Sequence, residues 1–240
     1  MIINTRPKEV SKKIIDLCTQ EKVEFENIHL SSIEYISGAN KQNLYKQVID
    51  NINNFSNIIF TSQAAAKFGT DLFNSQTGML NSNQNIFSVG DATRKILMDR
   101  GFEPITPINK SSQGIIDLIN EKYPGRNLIF CGEHSNMNLQ YAFKENMNEA
   151  VCYKLVFDMN QLRHITKKSA VILIYNFLTF EFIYKNLESD LIQNKFFVLA
   201  SKRIESEVLK IVNDKEILNK IYVSSSYLDE DMLRKARELI

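Results

Sequence analysis

Short apolar runs alternate with amphipathic stretches along the whole chain, and that rhythm constrains its fold more than any other feature. Ile2–Asn4 is a brief β-type run, and Val10, Ile14, Leu17 and Cys18 then recur at helical spacing. Phe25, Ile28 and Leu30 suggest a second strand. Leu44, Val48 and Ile52 mark a helix before the run Ile58-Ile59-Phe60. The alternation continues with strands at Ile86–Val89, Leu128–Cys131, Ala150–Phe157, Val171–Ile174, Phe196–Leu199 and Ile221–Val223. Between them, helical patterns fall after Gly90, around Ile115–Ile119, over Met137–Asn146 and Phe180–Leu187, through Ile204–Val212 and over Leu228–Leu239. Asp91 is expected to cap the helix after Gly90, and Gly101 to end it. Strand followed by helix throughout predicts an α/β fold with mostly parallel sheets and right-handed crossovers.

Two places break the rhythm. After Leu30 the chain reads Ser31-Ser32-Ile33-Glu34-Tyr35 with no strong helix, and Val151–Phe157 is extended in the same way. Two such stretches flanking a central block predict two α/β lobes joined by a two-stranded linker. The first lobe is then discontinuous, formed by residues 1–33 and 158–240; the second is 36–152, and 34–35 with 153–157 are the linker strands. A hinged cleft is the expected consequence.

Composition narrows the function classes. Of 240 residues, 44% are hydrophobic and 24% charged, enough apolar material for ordinary cores. The 29 basic and 28 acidic residues leave a net charge of +1, without the basic excess that phosphate neutralisation asks of a nucleic-acid binder. The three cysteines, Cys18, Cys131 and Cys152, have no metal-motif spacing and fall on apolar faces. They read as buried thiols in a reducing cytoplasm. The N-terminus lacks a signal-peptide pattern, and the longest apolar run, near Val171–Tyr175, is too short to span a bilayer. The many asparagines are scattered and read as compositional drift.

Ligands of open α/β sheets bind beyond the carboxyl ends of the strands. The junctions there are Asn4-Thr5-Arg6-Pro7, Thr61-Ser62-Gln63-Ala64, Gly90-Asp91-Ala92-Thr93, Cys131-Gly132-Glu133-His134-Ser135, Tyr175-Asn176-Phe177 and Ala200-Ser201-Lys202-Arg203. Most are small or hydroxylic, and each offers free N–H groups at a helix start, where anions are favoured. Singly they are good helix caps; together they suit a ligand with many carboxylates. There is no Gly-x-Gly-x-x-Gly after a strand, no Walker loop and no Gly-x-Ser-x-Gly elbow. His29, His134 and His164 lack ligand spacing.

These junctions resemble a known family. Thr5-Arg6-Pro7 after the first strand looks like the N-terminal signature of uroporphyrinogen-III synthases. Ile59-Phe60-Thr61-Ser62-Gln63-Ala64-Ala65 is similar to their strand-end turn. Ser88-Val89-Gly90-Asp91-Ala92-Thr93, with Leu97 and Gly101-Phe102 downstream, resembles their most distinctive motif. Val151-Cys152-Tyr153 resembles a linker segment ending in a tyrosine. The resemblance spans almost the whole chain in the right order. The second lobe's partner departs from the pattern in two places. Asn176-Phe177 stands where many members have Ser-Pro, and Leu199-Ala200-Ser201-Lys202-Arg203-Ile204 replaces a Gly-x-x-Thr motif.

The resemblance implies a cofactor-free, metal-free, monomeric hydro-lyase. It would convert hydroxymethylbilane to uroporphyrinogen III, losing water and inverting ring D through a spiro intermediate. Tyr153 is then the candidate acid or positioning group at the departing hydroxyl. Substrate carboxylates would meet main-chain N–H groups around Ser62, Gln63, Ala64, Gly90, Ala92 and Thr93, with Ser201 opposite. Thr5 and Asn176 would add polar contacts, and Arg6, Lys67, Arg94, Lys202 and Arg203 charge. The rival expectations are a non-catalytic two-lobed protein that closes on a small anion, and a degenerate synthase fold kept as an interaction partner.

Overall fold

The computed structural model describes residues 1–75, 80, 83–134, 137–166 and 168–240. Ser135, at the end of one junction named above, lies outside them. In chain order the elements are β1 (Ile2–Asn4), α1 (Lys12–Gln20), β2 (Phe25–Asn27), β3 (Ser31–Tyr35), α2 (Gly38–Asn51), β4 (Asn57–Phe60), α3 (Gln63–Ser75), β5 (Asn85–Ser88), α4 (Asp91–Asp99), α5 (Ser112–Lys122), β6 (Asn127–Gly132), α6 (Asn138–Phe143) and β7 (Met147–Phe157). There follow α7 (Met159–Leu162), β8 (Ala170–Ile174), α8 (Phe177–Asn186), α9 (Ser189–Ile192), β9 (Lys195–Leu199), α10 (Lys202–Ile211), α11 (Lys215–Leu218), β10 (Ile221–Val223) and α12 (Asp229–Arg237). No described helix is long and apolar enough to cross a membrane.

The chain divides into two compact units, one of Met1–Ser32 with Val156–Ile240 and one of Ile33–Leu155. The first unit carries a sheet in the order β10-β9-β8-β1-β2, and its described pairings are parallel. Ile172, Leu173, Phe197 and Val198 are fully buried, as expected of parallel strands covered on both faces. Lys195, at the start of β9, is buried as well. Its ammonium donates to the carbonyls of Thr166 (2.9 Å) and Lys168 (2.8 Å), and burial lowers its pKa.

The second unit carries the order β3-β7-β6-β4-β5, parallel from β7 through β5. Edge strand β3 runs antiparallel to β7: the Leu30 carbonyl accepts from Asp158 N–H, and the Cys152 carbonyl from Ile36 N–H. Alternate residues feed two cores. Ile58, Phe60, Leu128 and Phe130 face α3, while Ile59, Phe87, Ile129 and Cys131 face α5 and α6. The asparagines that read as drift have a place here. Asn85, Asn57 and Asn127 are paired in register at the starts of their strands. The amide of Asn85 donates to Asn57 (3.1 Å), and that of Asn57 to Asn127 (3.0 Å). A one-residue slip would turn this buried polar row into the apolar faces, so the row pins the register.

The strands and helices expected from the periodicity are present with ends shifted by a few residues, whereas the periodicity marks no helix over α3, α7, α9 or α11. The helix expected over Met137–Asn146 is only α6 followed by a 3-10 turn at Lys144–Asn146. The helix expected from Phe180 starts at Phe177, because the Asn176 side chain accepts from Thr179 N–H and caps it earlier. Asp91 does not cap α4. Gly90 holds that position in an extended conformation, and Asp91 turns outward to pair with Lys110. Gly101 ends α4 as expected, at φ +86°.

Helix α3 lies close on the sheet because Ala64, Ala65, Ala66 and Gly69 leave it no bulk on that side. A Cβ at Gly69 would stand 2.6 Å from the Phe60 ring, which is itself stacked on Phe130 at 5.0 Å. Gly69→Ala gains about 0.8–1.0 kcal/mol of helix propensity but overpacks the core at a cost of about 1–3 kcal/mol. We expect a net loss of about 1 kcal/mol, read as a lower urea midpoint with an unchanged slope; a raised midpoint would mean that the rings yield.

Candidate active site

Strand order alone selects one place in the second unit. From β4 the chain goes to β5 on one side and then to β6 on the other, so the order reverses between the carboxyl ends of β4 and β6. Ligands of open α/β sheets sit at such a switch point. The residues there are Thr61-Ser62 after β4 and Gly132-Glu133 at the end of β6. Beside them on β7 stands Tyr153.

Tyr153 reaches this point through a local irregularity. The register runs Cys131 with Val151 and then Gly132 with Tyr153, which leaves Cys152 as an extra residue in β7. In a regular strand Val151 and Tyr153 would share a face. Here Val151 packs with the core under α5, and Tyr153 with the core under α3. The bulge therefore re-aims the tyrosine, as bulges beside active sites often do. Its ring then lies against Gly132, where a Cβ would be 2.7 Å from the ring's Cζ. Its hydroxyl shares a 3.0 Å hydrogen bond with Ser62 Oγ, which also accepts from Ala65 N–H.

Burial raises the pKa of the Tyr153 phenol, the Ser62 bond partly opposing it, so the group is neutral at physiological pH. Beside it opens a cavity of about 270 Å³, walled by Tyr35, Tyr153 and Val151 and rimmed by Glu34, Glu133 and Lys154. The Tyr35 ring meets Tyr153 edge-on at 6.3 Å and stacks on Phe68 at 6.1 Å. Lys154 pairs with Glu34 at 3.2 Å.

The neighbouring strand ends supply helix starts. Ser62 caps α3, and the N–H groups of Gln63 and the buried Ala64 lead that helix without an intrahelical partner. Gly90 precedes α4. There Ala92 is exposed and Thr93 buried, and Arg94 N–H closes on the Gly90 carbonyl. Lys67 lies within α3, and Arg94 points along α4 towards Met98.

The first unit has the same kind of reversal, between β1 and β8, but its occupant is an internal cluster. Arg6 donates to the buried Asp229 at 2.9 Å and lies 4.3 Å over the Tyr175 ring. The Tyr175 hydroxyl donates to the same Asp229 oxygen at 2.6 Å. Burial, and then the Asp229 charge, raise the Tyr175 pKa. Thr5 is buried and donates to the Leu173 carbonyl at 2.7 Å. Asn176 and Ser201 use their side chains to cap α8 and α10. Lys202 pairs with Glu205 at 3.0 Å and Arg203 with Glu207 at 2.8 Å. In this unit the expected cations and caps are thus already engaged locally. Tyr175, Asp229, Gly132 and Tyr35 were not singled out from the sequence. Tyr175 and Gly132 stood in the strand-end junctions, whereas Asp229 carries no sequence signal.

The three cysteines are buried and none is in a disulfide, and burial pushes Cys18 up to about 11. Among the described residues, no group of three or more His, Cys, Asp or Glu side chains is placed to hold a metal.

Two α/β units with strand-end sites and a neutral tyrosine at a switch point define a class of two-unit α/β enzymes. The family model for uroporphyrinogen-III synthase HemD matches residues 16–215. The chain belongs to the uroporphyrinogen-III synthase family, hydro-lyases of tetrapyrrole biosynthesis that need no cofactor. Its fold is similar to that of the uroporphyrinogen-III synthetase of Helicobacter pylori, with a TM-score of 0.65 at 14% identity, over 100% of this chain and 99% of that one. A mutant uroporphyrinogen III synthase from Thermus thermophilus aligns with a TM-score of 0.62 at 12% identity, over 99% and 97% of the two chains. No curated protein matches the sequence significantly.

The packing of Tyr153 on Gly132 is directly testable. Gly132→Ala must displace the ring and break its bond to Ser62. We expect a stability loss of about 1–3 kcal/mol by urea denaturation, as for other overpacked sites. In a Tyr153→Ala background the same Gly132→Ala change should cost little; an undiminished cost there would place the strain elsewhere.

Proposed function

We propose that this protein cyclises hydroxymethylbilane to uroporphyrinogen III, with inversion of ring D and loss of water. It does so as a cytoplasmic monomer without a nucleic-acid partner. The observation that carries the reading is the Tyr153 hydroxyl. It is neutral and anchored to Ser62 at the place between β4 and β6 where the strand order reverses, and the tyrosine also lines an open cavity on the β3 side of β7. The near-zero net charge and three reduced cysteines support the choice of partner and compartment.

The reaction begins when the terminal hydroxymethyl group loses its oxygen and leaves an electrophilic azafulvene. Tyr153 donates a proton to that oxygen or holds it in place, help worth about 10²–10⁴-fold at most. The larger part of the work is geometric: the flexible chain is held folded so that the far ring attacks with ring D inverted. We assign substrate carboxylates to the main-chain N–H groups led by Ser62, Gln63 and Ala64 and by Gly90, Ala92 and Thr93. Thr5, Arg6, Asn176, Ser201 and Lys202 are assigned to further carboxylates, and their local partners must be exchanged or shared when substrate binds.

The test is to supply hydroxymethylbilane, oxidise the products and separate the porphyrin isomers. Spontaneous closure gives type I, so a dominant type III product is expected. Only type I from folded protein would overturn the catalytic reading and leave an anion-binding protein. Tyr153→Phe should lower kcat by about 10-fold or more with little change in KM. Turnover at the wild-type rate would remove Tyr153 from the mechanism.

A further inference from the structure

The crevice between the carboxyl ends of β1 and β8 already holds a carboxylate, that of Asp229. Its Oδ1 accepts from Arg6 Nη1 at 2.9 Å and from the Tyr175 hydroxyl at 2.6 Å. The Arg6 guanidinium lies 4.3 Å over the Tyr175 ring, which supports it from below. Asp229 stands in the first turn of α12, where N–H groups without an intrahelical partner and the helix dipole favour an anion. A guanidinium, a hydroxyl and a helix N-terminus are the parts of an anion site, and here a carboxylate is seen bound to the first two.

The receiving side is built independently of Asp229. Arg6 N–H donates to Asn4 Oδ1 at 3.2 Å, and the Arg6 carbonyl accepts from His29 Nδ1 at 2.7 Å and from Ser11 Oγ at 3.2 Å. The Arg6 backbone is therefore fixed whatever its side chain holds. The Asp229 carboxylate, by contrast, is hydrogen-bonded by Arg6 and Tyr175 and by no other described side chain. The Arg6 side chain is 18% exposed and that of Asp229 5%, so a ligand meets the guanidinium first. Removing Asp229 without replacement would leave Arg6 a largely buried, unpaired charge, which is costly. Exchanging it for another carboxylate keeps both donors paired. The released Asp229 stays at the N-terminus of α12, where its charge is favoured.

We propose that this crevice is a carboxylate-binding site whose resident occupant is the chain's own Asp229, and that a carboxylate of the substrate displaces Asp229 from Arg6 and Tyr175. The proposal rests on the function given above, which assigns Arg6 to a substrate carboxylate. It adds Tyr175 as a second donor and Asp229 as a built-in competitor. A tethered competitor acts at high effective concentration, so a lone small carboxylate does not dislodge it. A ligand with many carboxylates does, because its other arms bind first and the exchange is then intramolecular. Asp229 thus selects for polycarboxylates.

Two measurements test this on the full chain. The first compares thermal melts of wild type, Asp229→Ala and Arg6→Met/Asp229→Ala in about 0.1 M sodium formate and in sodium chloride at the same ionic strength. Formate replaces the atoms that Asp229→Ala removes. It should raise the Tm of Asp229→Ala by about 2–4 °C over chloride and leave the other two unmoved. No rise for Asp229→Ala, or an equal rise in the double variant, would overturn the site. The second measurement takes KM for hydroxymethylbilane with Asp229→Asn, whose side-chain oxygen still accepts from both donors but carries no charge. KM should fall by about threefold or more. An unchanged or raised KM would overturn the exchange, and it decides alone if Asp229→Ala is too unstable to melt. Failure of wild type to form type III product would remove the synthase reading and leave the formate result standing, so the two fail separately.

Discussion

One extra residue in β7 governs the geometry of the second unit's site. Parallel pairing fixes Phe60 opposite Phe130 and carries the register up to Cys131, where Cys152 is left unpaired. Without that bulge, strand alternation would send Tyr153 under α5 with Val151, away from Ser62. With it, two successive residues, Cys152 and Tyr153, both face α3. The rest follows from packing. The ring needs the bare backbone of Gly132 to lie flat, and the hydroxyl then meets the hydroxyl that caps α3. A helix cap, a strand irregularity and a missing side chain thus combine at one point, and none of the three is a catalytic feature by itself.

The two units solve the same topological problem differently. Each sheet reverses its strand order once, and each reversal opens a crevice between two carboxyl ends. In the first unit Arg6, Tyr175 and Asp229 fill it with a mutually satisfied cluster whose charges are largely out of water. Such a cluster is costly to break, because either partner left alone is a buried charge. In the second unit the crevice keeps an uncharged tyrosine, and that residue also lines an open cavity towards β3. Four consecutive strands have the same order in both sheets, β9-β8-β1-β2 and β7-β6-β4-β5, so around the two reversals the difference lies in a few side chains.

The alternation of apolar runs made the α/β class and the parallel pairing legible, because a strand buried on both faces has no other way to read. Helix starts were legible to within a few residues: the periodicity set α8 three residues late, at Phe180, where the Asn176 side chain caps it at Phe177, and the cap was misread at Asp91, where glycine takes the extended cap position and the acid turns outward. Ser62, Gln63 and Gly90 came from the rule about strand ends, and Tyr153 from family resemblance. The bulge was not legible, since an apolar strand with one residue too many looks like an apolar strand. Asp229 was not legible either, because its partners lie over 50 and over 220 positions away along the chain. The asparagine row was visible only as composition, since its meaning is a register that a linear reading does not contain.

The first unit is interrupted by the second, and this shapes how the protein is made. Strand β1 lies between β2 and β8, yet β8 begins only at Ala170. A nascent chain leaving the ribosome at about 5–20 residues per second therefore holds Ile2 and Ile3 without their main partner for on the order of ten seconds. Meanwhile every strand of the other sheet has already emerged and can pair. Two short parallel strands are not stable alone, so β1 and β2 stay an open, apolar template during that window. Lys8, Glu9, Lys12 and Lys13 follow immediately, the kind of charged flank that disfavours association of exposed apolar strands. Strand β1 therefore gains its central partner only after every strand of the second sheet has been made.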